Sequence, residues 1–189
     1  MRLVIAAVIG GLLMFLWGAF AHMVLPLGEL SMKAPLDETR MLDTLRTALP
    51  PQPGIYVVPH FDMAMRNDDK AVQAYIAKTE ANPYAFIVYQ PQGRNPMDMG
   101  HNLFHQWFSD TLAALILALV LMTAGAGVRR GLVFGLGFGV FAWLSISVPY
   151  WNWYRFPMPF TFGYLAEQGI GWLIAGAAMG GWLARKKRI

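Results

Sequence analysis

Long apolar runs alternate with polar punctuation along this chain, and they predict four membrane-spanning helices. The runs cover residues 3–26, 108–128, 131–149 and 160–184. Each approaches or exceeds the roughly 20 residues that cross about 30 Å of hydrocarbon as helix. Short connections at 129–130 and 150–159 separate the last three, and a tail at 185–189 ends the chain. The long polar segment at 27–107 falls between the first and second spans. The fold class expected is a membrane all-α four-helix bundle with a small α+β domain inserted outside the membrane.

Inside that segment the periodicity changes. Asp37 is placed to cap a helix with Met41, Leu42, Leu45 and Leu49 on one face, stopped by Pro50-Pro51. Residues 54–59 (GIYVVP) read as a short β-branched strand. Asn67 is the expected cap of a second helix, with Asp68 and Asp69 in its first turn at the positive end of the dipole. Ala71, Val72, Tyr75 and Ile76 form its apolar side, and Asn82-Pro83 ends it. Residues 84–90 (YAFIVYQ) make a second strand before the turn Pro91-Gln92-Gly93. Were the strands parallel, the helix between them would be a right-handed crossover. Two strands alone are poorly stable, so the domain is expected to lean on the membrane, on the span ends, or on a second copy through a four-stranded sheet.

Charge gives the spans a direction. Arg2, Arg129, Arg130, Arg185, Lys186, Lys187 and Arg188 flank alternate span ends without acidic company, whereas seven basic and nine acidic residues share 27–107. Excess lysine and arginine marks the cytoplasmic side; both termini are therefore expected there, and 27–107 on the periplasmic side. The pI of 9.5 reflects these flanks, so the partner they imply is an anionic bilayer surface rather than nucleic acid. Tyr150, Trp151, Trp153, Tyr154 and Phe156, with Trp107, form an aromatic belt at one interface, and Trp182 marks the other. Arg2, an apolar run and Ala19-Phe20-Ala21 also fit a cleaved signal peptide. The run is long for that role and holds Trp17, so a retained helix is the reading; cleavage would leave three spans.

Gly131, Gly135 and Gly139, and likewise Gly176 and Gly180, repeat every four residues. Small residues at that spacing let helix backbones meet closely, either within the bundle or against another subunit. Three ionisable groups, His22, Asp110 and Glu167, fall in the periplasmic half of the spans. Buried charges in membranes are costly and call for a function or a partner. Glu167 has His22, His105 and Tyr150 as candidate partners, and Asp110 is expected to reach water or to cap a helix start with Ser109. The structural version is a hydrogen-bonded cluster fixing helix register; the functional one is a proton- or metal-linked site. The cytoplasmic half offers only Thr123 as a clear hydroxyl, which argues against a relay through the membrane.

Cysteine is absent, excluding disulfides, thiolate metal sites and cysteine nucleophiles. Soft ligation remains open to His60, Met63, Met65, Met97, Met99, His101 and His105, since thioether with imidazole suits copper, with zinc the alternative. Methionine is abundant here and also fills interfaces readily. The zinc-protease signature fails because Asn102-Leu103-Phe104 separates His101 from His105. No G-x-S-x-G elbow, P-loop or dinucleotide fingerprint is present.

Residues 17–26 (WGAFAHMVLP), followed by GIYVVP and AFIVYQPQG, resemble small bacterial inner-membrane proteins to which no activity is attached. The resemblance implies a multi-pass inner-membrane location and supplies no substrate or site residues. The function expected is an accessory or interaction subunit, working as a homodimer or in a larger membrane complex. The rivals are periplasmic metal handling and a headgroup-level enzyme using His22, Asp110 and Glu167, which lacks a nucleophile.

Overall fold

The computed structural model describes residues 1–185; Lys186, Lys187 and Arg188, read above as cytoplasmic charges, lie outside the described residues. The chain divides into two compact units, one of Met1–Lys33 with the chain from Pro96 onward and one of Ala34–Asn95. The smaller unit is thus narrower at both ends than the 27–107 segment.

The larger unit is helical. Helix α1 spans Arg2–Met23 and a 3-10 turn follows at Leu27–Glu29. Helix α4 spans Gly100–Ala124, starting eight residues before the expected span at 108. Helix α5, Val128–Ala142, runs through a π turn at Trp143–Ser147 into α6, Val148–Tyr154. Pro149 sits in the first turn of α6, where a missing N–H costs least, so the helix continues five residues past the expected end. It stops at Arg155, which adopts a left-handed conformation with φ 57°. Helix α7 covers Met158–Ala184.

Among the described residues, three helices are long and apolar enough to cross a membrane: Arg2–Met23, Gly100–Ala124 and the continuous Val128–Tyr154. Helix α7 has the length, at 27 residues, but Glu167, Gln168 and its many glycines make it more polar. It is also the helix with the most buried positions, spread from Thr161 to Gly180. Helices α1 and α7 are the central pair, with α4 flanking α1 and α5 flanking α7; α4 and α5 barely meet.

Two kinds of packing hold this arrangement. Between α1, α4 and α7 the core is side-chain based: Ala6 and Met14, Leu117 and Leu121, Trp172 and Met179. Between α5 and α7 it is backbone on backbone, since the buried residues of α5 are only Gly131, Gly135 and Gly139. A Cβ on Gly139 would stand 2.5 Å from the Gln168 carbonyl oxygen and one on Gly176 2.9 Å from Gly135 Cα. Gly180 faces Gly127 and Gly131 in the same way. The two stripes therefore face each other, and dispersion between close backbones is the attraction that survives without water.

In the smaller unit, Asp37 Oδ1 accepts from the Arg40 N–H at 2.9 Å and caps helix α2, Glu38–Ala48. Strand β1, Gly54–Val58, leads through a 3-10 turn at Met63–Met65 to helix α3, Asp69–Glu80, and strand β2, Ala85–Tyr89. The cap of α3 is Asp68, not Asn67: its carboxylate accepts from the Lys70 and Ala71 N–H groups at 2.9 and 3.3 Å. A carboxylate outcompetes an amide there because it also carries charge complementary to the dipole. The strands are antiparallel, with Ile55 opposite Val88 and Val57 opposite Phe86, so α3 is not a parallel crossover. The connection turns the chain back on itself, and the perpendicular bonds of the antiparallel ladder are slightly stronger per residue.

Candidate functional site: a polar cluster among α1, α4 and α7

The helical unit has two chemically different ends. At one, the Arg2 guanidinium donates to the Trp182 and Leu183 carbonyls at 3.4 and 3.1 Å, and to that of Arg185. These are carbonyls left over at the end of α7, where the dipole is negative and a cation is favoured. Arg130 lies against the Gly125 backbone at the same end, and the Arg185 guanidinium sits 5.1 Å from the Trp182 ring centre. Arg2, Arg130 and Arg185 are therefore on one side, as the charge pattern implied.

The other end holds the three ionisable residues singled out from sequence. His22 Nε2 lies 3.3 Å from Glu167 Oε2; the Glu167 side chain is 9% exposed and that of His22 44%. Of the three partners considered for Glu167, His22 is the one the fold provides. The main-chain carbonyl of Glu167 accepts from Trp17 Nε1 at 2.8 Å, so one residue of α7 is held twice by α1. Asp110, 8% exposed, accepts from Gln106 Nε2 at 3.0 Å. It does not cap a helix start, because α4 begins at Gly100 and Asp110 already sits almost three turns inside it. The two carboxyl groups lie within electrostatic reach of each other, and Glu167 within reach of the Tyr164 hydroxyl.

Two glycines make the cluster sterically feasible. Gly28, in the turn after α1, lies under the His22 ring, and any side chain there would occupy the imidazole's place. Gly163 lies against the Leu27 carbonyl, where an added Cβ would approach to 2.5 Å. The 27–29 turn thus folds back over the end of α7 and seats the imidazole. Trp17, Gln106, Gly28 and Gly163 were not singled out from sequence. The Gln106–Asp110 spacing of four was a legible signal; the Trp17 and Gly28 contacts span most of the chain or depend on a turn.

On the Arg2 side of the cluster polarity ceases. Ala114, Leu117, Ala118 and Leu121 of α4 meet Ala175 and Met179 of α7 and Ala6 of α1, all with no or almost no exposure. The Thr123 hydroxyl turns back to its own helix, donating to the Leu119 and Val120 carbonyls. Chemically, then, the cluster is a terminus rather than a segment of a path.

The metal candidates divide between the units. His60, Met63 and Met65 belong to the smaller one, while Met97, Met99, His101 and His105 open α4. The His101 and His105 rings have centroids 4.1 Å apart, and His105 Nδ1 is 2.8 Å from the His101 carbonyl. Among the described residues no group of three or more histidine, aspartate or glutamate side chains is arranged to hold a metal ion.

In comparisons with known proteins, the chain matches no family model, no curated protein and no solved structure.

Proposed function

We propose that the chain is a four-span protein of a bacterial inner membrane, with both termini cytoplasmic and the Ala34–Asn95 unit periplasmic, serving as a non-catalytic accessory subunit. Helix α7 counts as the fourth span because it lies between α1 and α5, with the Glu167 carboxylate turned inward against His22 and its main chain held by Trp17. The observation that carries the accessory role is the apolar seal below Asp110 and Glu167. His22 pairs with Glu167 between α1 and α7, Gln106 holds Asp110 within α4, and among the described residues the buried core toward the Arg2 end is apolar. Such a cluster fixes helix register at the periplasmic mouth and leaves the function to surfaces outside it.

Because cysteine is absent, single cysteines at Ser31 and Gly127 report topology with an impermeant thiol reagent in intact cells. Labelling at Ser31 alone is expected; labelling at Gly127 overturns the orientation. For the role, cross-linking in native membranes before mild solubilisation is expected to yield a stoichiometric complex with another membrane protein. A chain that elutes alone, without any heteromeric adduct, overturns it.

The proximity of the His101 and His105 rings favours metal handling as a second reading. Protein purified without chelator would then retain copper or zinc, and His101→Ala would remove it; metal-free protein ends that reading.

A further inference from the structure

Helices α4 and α5 are joined by three residues yet barely touch along their length. Between them lies an apolar groove of about 780 Å³, walled by Ile116 on one side and by Val133, Phe134, Gly137 and Phe141 on the other, with Trp172 of α7 as its floor. The groove ends near Ala142, where the π turn begins. Beyond that turn, toward the His22 end, is a second cavity of about 200 Å³ lined by Ser147, Tyr150, Phe156, Phe160, Thr161 and Tyr164. The π turn itself is tied to α7, since Trp143 Nε1 donates to the Thr161 carbonyl at 2.7 Å. Extra turns of this kind inside helices recur at functional sites.

The small cavity has the chemistry of an ammonium cage. Ring centres step from Tyr150 to Phe156 at 5.3 Å, on to Phe160 at 5.4 Å, and on to Tyr164 at 4.9 Å. The rings are inclined by 49–75° rather than stacked, and all four line the same space. Glu167 lies one turn beyond Tyr164 on α7, where it pairs with His22. At about 200 Å³ the cavity falls below the ~300–1,000 Å³ of a drug-sized site and suits a head group. The α4–α5 groove on the other side of the π turn is apolar along its length, which favours an amine carried on a lipid over a free one.

We propose that this pair of cavities binds one phospholipid whose head group carries an ammonium, its acyl chain in the α4–α5 groove and its ammonium among Tyr150, Phe156, Phe160 and Tyr164. The rings contribute cation–π attraction to the cationic head group, the groove takes apolar chain without polar groups to desolvate, and Trp172 closes its base. The site is independent of the accessory role and requires only that the helices lie in a bilayer.

The test uses full-length protein, delipidated in mild detergent and titrated in native mass spectrometry with phosphatidylethanolamine and with phosphatidylglycerol of the same chains. Phosphatidylethanolamine is expected to bind roughly ten-fold more tightly, the scale of a desolvated cation–π contact. Tyr150→Leu and Phe160→Leu should each bring the two lipids within about two-fold of each other, while Phe160→Tyr, which keeps a ring face, should retain the preference. Gly137→Leu, which fills the groove, should weaken both lipids by the same factor. Equal binding of the two lipids to the unaltered protein overturns the proposal, as does a preference that survives both leucine variants. Displacement of phosphatidylethanolamine by millimolar tetramethylammonium alone overturns the lipid as occupant and leaves a free amine in its place.

Discussion

The contact between α5 and α7 makes a sharp prediction, because its closest approaches are backbone on backbone. A Cβ added at Gly135 would lie 3.0 Å from the Trp172 carbonyl carbon, 3.2 Å from Gly176 Cα, and closer still to the Trp172 carbonyl oxygen. Backbone atoms cannot rotate away, so α5 and α7 must separate by about 0.5–1 Å to restore ordinary spacing, which forfeits a quarter to a half of each dispersion well along the interface. Overpacking of this kind costs about 1–3 kcal/mol. Gly137, two residues on, provides the control: a Cβ there meets nothing within 4 Å. Both substitutions by alanine gain the same helix propensity, up to ~1 kcal/mol, which cancels in the difference. Gly135→Ala is therefore expected to be less stable than Gly137→Ala by about 1–3 kcal/mol, measured by reversible unfolding in mixed micelles. Equal stabilities would refute the backbone-contact account of how α5 is held.

Other perturbations reach other parts of the molecule. Glu167→Gln, which keeps an acceptor for His22 but removes the charge, is expected to cost about 1 kcal/mol; a double-mutant cycle with His22→Ala should show coupling of at least ~0.5 kcal/mol, and zero coupling would detach the pair from stability. Arg2→Ala removes the donors at the end of α7 and should lower stability by about 0.3–1 kcal/mol, less so in high salt, as read by the same unfolding assay. Asp68→Ala should cost about 1 kcal/mol, whereas Asn67→Ala should change little; hydrogen exchange at the first-turn amides of α3 separates the two.

Much of this architecture could be read from the residue order, and the parts that could not share a cause. Apolar runs announced α1, α4 and α5 because a membrane span must be continuous and long. The helices outrun those apolar stretches: α4 starts at Gly100, where the polar turns of an amphipathic approach carry no apolar signal, and Pro149, where the third run ends, occupies a first turn after a π segment. Strand existence in the small unit was legible from β-branched residues, but direction was not, since pairing depends on how a 26-residue connection turns. His22, Asp110 and Glu167 were conspicuous because charge in an apolar run is conspicuous. Trp17, seated on a carbonyl 150 positions away, and Gly28, whose role is to be absent beneath an imidazole, leave no local trace. The same limit applies to the aromatic cavity: Tyr150 and Phe156 read as part of an interfacial belt and its other five residues as parts of two separate spans, until the π turn and α7 brought them around one space.

The pairing of α1 with α7 has a consequence for how the protein comes into being. Helix α1 packs against α7, and Arg2 is fastened to carbonyls made about 180 residues later. Until α7 is made, the glycine stripe of α5 lacks its partner helix, and the carboxyl of Asp110 lacks its final surroundings. Only α1 and α4 can associate early. The packing that holds α5 is therefore completed only once α7 has been synthesised. A chain halted before Met158 would present those unsatisfied surfaces together, a form suited to recognition by membrane quality control.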